Sequence, residues 1–101
     1  MDDKTGSSAE SDELILELNR NYALSLPERL PLEELEILLA DRLNSLIRSD
    51  FNALIVILYR IDVSEEKLKK LLRDSPGEDA GRIMARLIIE RQLQKIKGRK
   101  A

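Results

Sequence analysis

A chain of 101 residues with neither cysteine nor histidine has no disulfide framework, no thiolate or imidazole ligand for a transition metal, no cysteine nucleophile and no histidine base. The length suits a single domain, and 43% hydrophobic residues beside 36% charged ones, with 19 Leu and 10 Ile against two Val and three aromatics, is a helix-rich composition. The net charge of −2 hides a gradient, since residues 1–50 hold 5 basic and 12 acidic side chains and residues 76–101 hold 7 basic and 3 acidic. Such a gradient suits head-to-tail association, a tail folded back on the front, or a polyanionic partner.

Residues 1–11 carry no sizeable apolar residue after Met1 and are predicted to form a disordered acidic and polar tail. This start lacks the basic cluster and apolar stretch of a secretory signal, and no apolar run approaches the roughly 20 residues of a membrane span. Neither export nor membrane insertion is expected, and the absence of cysteine suits a cytoplasmic setting. A single folded domain is predicted over residues 12–97, followed by a short basic tail, 98–101.

Within that domain, Leu14, Ile15, Leu18 and Tyr22 form a helical stripe, although Leu14, Leu16 and Leu18 also alternate as in a strand. Ser25-Leu26-Pro27-Glu28 has the spacing of a capping box, but Pro31 follows at once and limits it to a turn or a short helical piece. Pro31 opens an amphipathic helix whose stripe is Leu32, Leu35, Leu39, Leu43 and Leu46. Glu33, Glu34, Glu36 and Asp41 read as its solvated side. Ser49 and Asp50 mark a cap or kink.

Phe51 to Ile61 holds nine apolar residues in eleven, pointing in nearly every direction of a helix, and is predicted to be the enclosed central rod of the core. Ile55 to Tyr59 would pass for a buried strand, but no strand partner is found. Asp62-Val63-Ser64-Glu65 matches a capping box before a short helix with the stripe Leu68, Leu71 and Leu72, and with Glu65–Lys69 and Glu66–Lys70 spaced for surface ion pairs. Ser75-Pro76-Gly77-Glu78 predicts the start of a last helix running to about Lys97. Ala80, Ile83, Met84, Leu87 and Ile88 make one broad face of it, and Ile89, Leu93 and Ile96 another. Gly77, Gly81 and Ala85 recur every four residues, a line that would admit a close backbone approach or simply leave a flexible first turn.

These elements predict an all-α protein, a compact bundle of four or five helices around a central apolar helix. The string from Leu54 through Leu68, with Gly81-Arg82-Ile83-Met84-Ala85-Arg86-Leu87-Ile88-Ile89-Glu90-Arg91-Gln92-Leu93, resembles a family of small uncharacterised bacterial all-helical proteins. The resemblance covers roughly the last half of the chain. It implies a bacterial cytoplasmic protein and brings no assigned activity.

No phosphate-binding loop, dinucleotide turn or nucleophile elbow is present, and the remaining carboxylates are better placed on a solvated face than in a cleft. The expectation is a protein that is not an enzyme and needs no cofactor. The excess of apolar surface, 18 apolar residues between Leu32 and Ile61 plus two faces of the last helix, points to association. The preferred reading is a protein-protein interaction module that self-associates as a homodimer or docks a partner through its last helix, with Ile89, Leu93 and Ile96 in contact and Arg82 and Arg86 flanking. The bland reading of those three apolar residues is that they complete the core. The alternative is nucleic-acid binding: Leu58 to Leu71 fits a helix-turn-helix skeleton, with Lys67 and Lys70 on the second helix and a basic end at Lys95, Lys97, Arg99 and Lys100. Glu65 and Glu66 at the head of that helix oppose phosphate contact.

Overall fold

Five α-helices follow one another along the chain: α1 (Ala9–Tyr22), α2 (Leu32–Ser49), α3 (Phe51–Ile61), α4 (Glu65–Asp74) and α5 (Ala80–Lys100). The computed structural model describes residues 9–22, 24–75 and 77–100, and no strand occurs among them. The alternating leucines of residues 14–18 and the run of residues 55–59 are therefore both helical, as the all-α expectation requires.

Local chemistry sets most of the boundaries. The Pro31 carbonyl accepts the first helical bond of α2 from the Leu35 N–H at 2.9 Å. Asp50 serves two helices at once. Its N–H donates to the Leu46 carbonyl at 2.8 Å, closing α2, and its carboxylate accepts from the Ala53 N–H at 3.2 Å, capping α3. Asp62 ends α3 in the left-handed conformation, at φ 67° and ψ 48°, which a short polar side chain tolerates better than most. Ser64, rather than Asp62, caps α4 by accepting from the Lys67 N–H at 3.2 Å.

Three boundaries differ from expectation. Ser75 does not open α5; its N–H donates to the Leu71 carbonyl and finishes α4, and α5 begins after Asp79, whose carbonyl accepts from Arg82 and Ile83. Glu78 is drawn away from a capping role because its carboxylate binds the Arg86 guanidinium at 3.1 Å. Pro76 lies outside the described residues. At the far end, α5 continues to Lys100, so residues 98–100 are helical and not a tail. Of the expected N-terminal tail, residues 1–8 lie outside the described residues, whereas residues 9–11 belong to α1 and Ser11 is buried, its hydroxyl donating to the Leu30 carbonyl at 2.8 Å.

The segment before α2 is extended rather than helical. Ser25 is not a cap but sits at φ 56°, and the flanking Leu24 and Leu26 turn into the core. Two polar side chains hold this course: the Asn19 amide exchanges two hydrogen bonds with the Leu26 backbone at 2.7 and 2.9 Å, and Arg42 donates to the Leu24 and Ser25 carbonyls. Satisfying buried backbone in this way makes a helical turn unnecessary.

The largest correction concerns the centre. Helix α5, not α3, is the rod around which the bundle is built, touching each of α1, α2, α3 and α4. Ile83, Met84, Ala85, Leu87, Ile88, Ile89 and Ile96 are all buried along it. Helix α3 buries only Leu54, Ile57 and Ile61, a single stripe at helical spacing. Helix α2 contributes Leu35, Leu39, Ala40 and Leu43, and α1 contributes Leu14, Ile15 and Leu18. Helices α2 and α5 approach closely at Gly81, where a Cβ would lie 2.6 Å from the Ala40 carbonyl oxygen. Of the line of small residues, Gly81 and Ala85 are buried, while Gly77 faces open space.

Candidate functional site

Because α3 is covered on one side only, its apolar residues are divided between core and solvent. With Leu54, Ile57 and Ile61 inward, the helical repeat turns Phe51, Ile55, Val56 and Tyr59 outward, and they are 56, 45, 49 and 86% exposed. Asn52 is the polar residue on this face. The charges lie at its ends, with Asp50 at the N-cap and Arg60 in the last turn.

Helix α4 turns away after Asp62 and leaves a groove against the second half of α3. Ile55, Leu58, Tyr59, Val63, Leu68 and Leu72 line this space of about 340 Å³, and Glu65 and Lys69 edge it as an exposed ion pair at 3.3 Å. No residue of α4 is fully buried; Leu68 and Leu71 are half-buried and Leu72 is exposed. A stripe this narrow cannot cover α3, which is why the groove stays open. A continuous apolar face with an uncharged centre is cheap to desolvate and suits a partner of similar character.

The contact residues expected on the last helix lie elsewhere. Ile89 and Ile96 are 7 and 1% exposed, and Leu93 is half-buried against the same core, so the three complete the interior and are not available as an outer face. The physical reason is the position of α5: a helix with four neighbouring helices uses both of its apolar faces internally and leaves the polar stripe of Arg86, Glu90, Gln94 and Lys97 exposed.

Arg82 and Arg86 are brought together, but on Glu36 of α2. Arg82 donates to Glu36 Oε2 through Nε at 3.1 Å and Nη2 at 3.0 Å, and Arg86 Nε donates to the same oxygen at 3.0 Å. Burial alone would push the Glu36 carboxyl up, yet the hydrogen bonds and charges of Arg86 and Arg82 outweigh it and hold the group below the usual carboxylate range. The Arg86 guanidinium is correspondingly raised, first by its hydrogen bond to Glu36 and then by the Glu78 charge. Glu36 is thus a structural acceptor between α2 and α5, whereas its neighbours Glu33 and Glu34 are exposed as expected.

The nucleic-acid candidates are partly committed to the fold. Lys67 pairs with Glu90 at 3.3 Å, and Lys95 Nζ donates to the Arg60 carbonyl at 3.4 Å. Lys70 and Lys97 are exposed; Arg99 and Lys100 lie in the last turn of α5, their side chains outside the described residues. At the α3–α4 corner Ile61 is buried and Val63, Leu68 and Leu71 are half-buried, as the apolar skeleton of a helix-turn-helix requires, but Glu65 and Glu66 are exposed at the head of α4.

Among the described residues no group of three or more acidic side chains is placed to hold a metal ion, and no helix is long and apolar enough to cross a membrane. No family model, curated protein or solved structure matches this chain. The α3 face was hidden in the sequence because an all-round apolar helix reads as an enclosed one. The signal that could have found it is the narrow stripe of α4, too small to cover a whole side of α3.

Proposed function

We propose that this protein is a non-catalytic protein-protein interaction module whose docking face is the outer side of α3 with the α3–α4 groove. One observation carries the reading: Phe51, Ile55, Val56 and Tyr59 present a contiguous apolar stripe with no charge between its ends. Aromatic and β-branched residues on a rigid helix lose little conformational freedom on binding, which favours their use as anchors. The absence of histidine and cysteine from the chain agrees with a role in docking rather than catalysis. The resemblance of residues 54–68 and 81–93 to bacterial helical proteins would put this docking in a bacterial cytoplasm.

The test is a photo-crosslinking amino acid placed at Tyr59 and, as a control, at the exposed loop residue Glu28, with irradiation in intact cells. Discrete protein adducts are expected from position 59, lost when Ile55 is also changed to Glu, and absent from position 28. Nucleic-acid adducts from position 59, or none at all, would remove the proposal.

A further inference from the structure

We infer that the occupant of the α3 face is a second copy of this chain, related by a two-fold axis at Ile55 that runs the two α3 helices antiparallel. The inference rests on the reading of α3 as a docking face. Its support is the internal symmetry of the exposed stripe: Phe51, Ile55 and Tyr59 are spaced by four residues, an aromatic at each end and an aliphatic at the centre. An antiparallel pair centred on Ile55 sets Phe51 against Tyr59 of the second copy, twice, and Ile55 against itself. Such a pairing is isologous and closes on a dimer.

Shape agrees with symmetry. The groove lies beside the C-terminal half of α3, where Leu58, Tyr59, Val63, Leu68 and Leu72 form its walls, while the protruding Phe51 lies at the N-terminal end. The two-fold axis delivers the Phe51 ring of each copy into the groove of the other, so every molecule gives one knob and receives one. Charge agrees as well. The dipoles of the two α3 helices run in opposite directions in an antiparallel pair, so the N-terminal end capped by Asp50 in one copy lies level with the C-terminal end in the other. A parallel pair would set like ends together.

The area is adequate. Phe51, Tyr59, Ile55 and Val56 of α3 with Leu72 of α4, more than a third exposed in each case, leave roughly 500 Å² of apolar surface. With the half-buried groove residues and the Glu65–Lys69 rim, each copy approaches the roughly 800 Å² that a stable interface buries per partner.

The cysteine-free chain allows a direct test by disulfide trapping in the full-length protein. With Ile55→Cys alone, the two thiols face each other at the axis, and mild oxidation is expected to give a covalent dimer quickly. With Phe51→Cys or Tyr59→Cys alone, the two thiols stand about 12 Å apart along the helices, from a rise of about 1.5 Å per residue, and trapping is expected at least tenfold slower. Mixing the Phe51→Cys and Tyr59→Cys chains should restore it. Sedimentation of the unmodified protein at tens of micromolar should give a dimer, and Ile55→Glu a monomer with an unchanged helical spectrum. Equal trapping at all three positions, or sedimentation only at the 11.6 kDa monomer, overturns the pairing. If the monomer result is accompanied by adducts from Tyr59 to a different protein in cells, the self-pairing fails and the docking reading stands; if adducts are also lacking, both fail.

Discussion

Gly81 of α5 lies directly on the Ala40 carbonyl of α2: a methyl group at Gly81 would come within 2.6 Å of that oxygen and equally close to the Asn44 side chain. The oxygen belongs to helical backbone and cannot step aside without moving α2. Gly81→Ala is therefore expected to lower stability by about 1–3 kcal/mol, the usual cost of overpacking. Gly98→Ala, also helical but facing open space, should raise stability by about 0.5–1 kcal/mol through helix propensity. Urea unfolding of both variants against the parent checks the pair, and a neutral Gly81→Ala would show that the helices can separate at no cost.

Neighbouring residues of α3 should respond in opposite ways to the same charge. Ile57 is 6% exposed and Val56 49%. Ile57→Asp buries an unpaired carboxylate and is expected to cost more than about 4 kcal/mol, enough to unfold a domain of this size. Val56→Asp should keep its helical spectrum. Far-UV circular dichroism at 25 °C separates the two, and loss of helix in Val56→Asp would mean that the outer side of α3 is part of the core.

Glu36 gives the fold an acid-side limit. Its carboxyl lies below the ordinary value when folded, so it stabilises the fold above the unfolded value of about 4.3, and that contribution is lost as the pH falls through the folded value. Glu36→Gln removes the charge that both arginines use. Its unfolding free energy is expected to fall by at most about 1 kcal/mol at pH 7, because the paired side chains are partly exposed and solvent screens them. The difference from the parent should shrink toward zero on acidification below the carboxylate range. A gap that persists undiminished at pH 2 would assign the loss to packing instead.

Gln92 is almost wholly buried on α5, in line with Ala85, Ile88 and Ile96, and its side-chain amide forms no hydrogen bond among the described residues. A buried amide without a partner costs about 1–3 kcal/mol. Replacing it by Met, of similar volume, is expected to stabilise the protein by about 1–2 kcal/mol. Thermal unfolding followed by calorimetry would show a higher midpoint; a lower one would point to a hydrogen-bonded role for the amide.

The stripes of α1 and α2 were legible because each is one-sided: Leu14, Ile15 and Leu18, and Leu35, Leu39 and Leu43, all face inward as their spacing requires, while at the two ends of the α2 stripe Leu32 is exposed and Leu46 half-buried. Asp50 was legible as a cap because a short oxygen-bearing side chain before an apolar run has few other uses, whereas the capping-box spacing pointed to Asp62 and the role fell to Ser64 two residues on. What periodicity does not encode is the number of neighbours. Helices α3 and α5 are both apolar on several sides, and only their placement makes one a surface and the other a centre. The same ambiguity hid the exposed apolar face of α3 and misplaced Ile89 and Ile96. Ion pairs such as Glu36 with Arg82 and Arg86 span 46 and 50 residues and leave no local trace in the sequence.

The position of α5 in the chain has a consequence for how the protein is made. The four helices that lean on it are all translated first, and during that interval the leucine stripe of α2 has α3 beside it but lacks its main partner, as does that of α1. Completion of the core is thereby deferred until residues 80–96 emerge, a long-range dependence that slows folding and lengthens the exposure of apolar surface. Chains released before that point would be natural clients of chaperones and proteases.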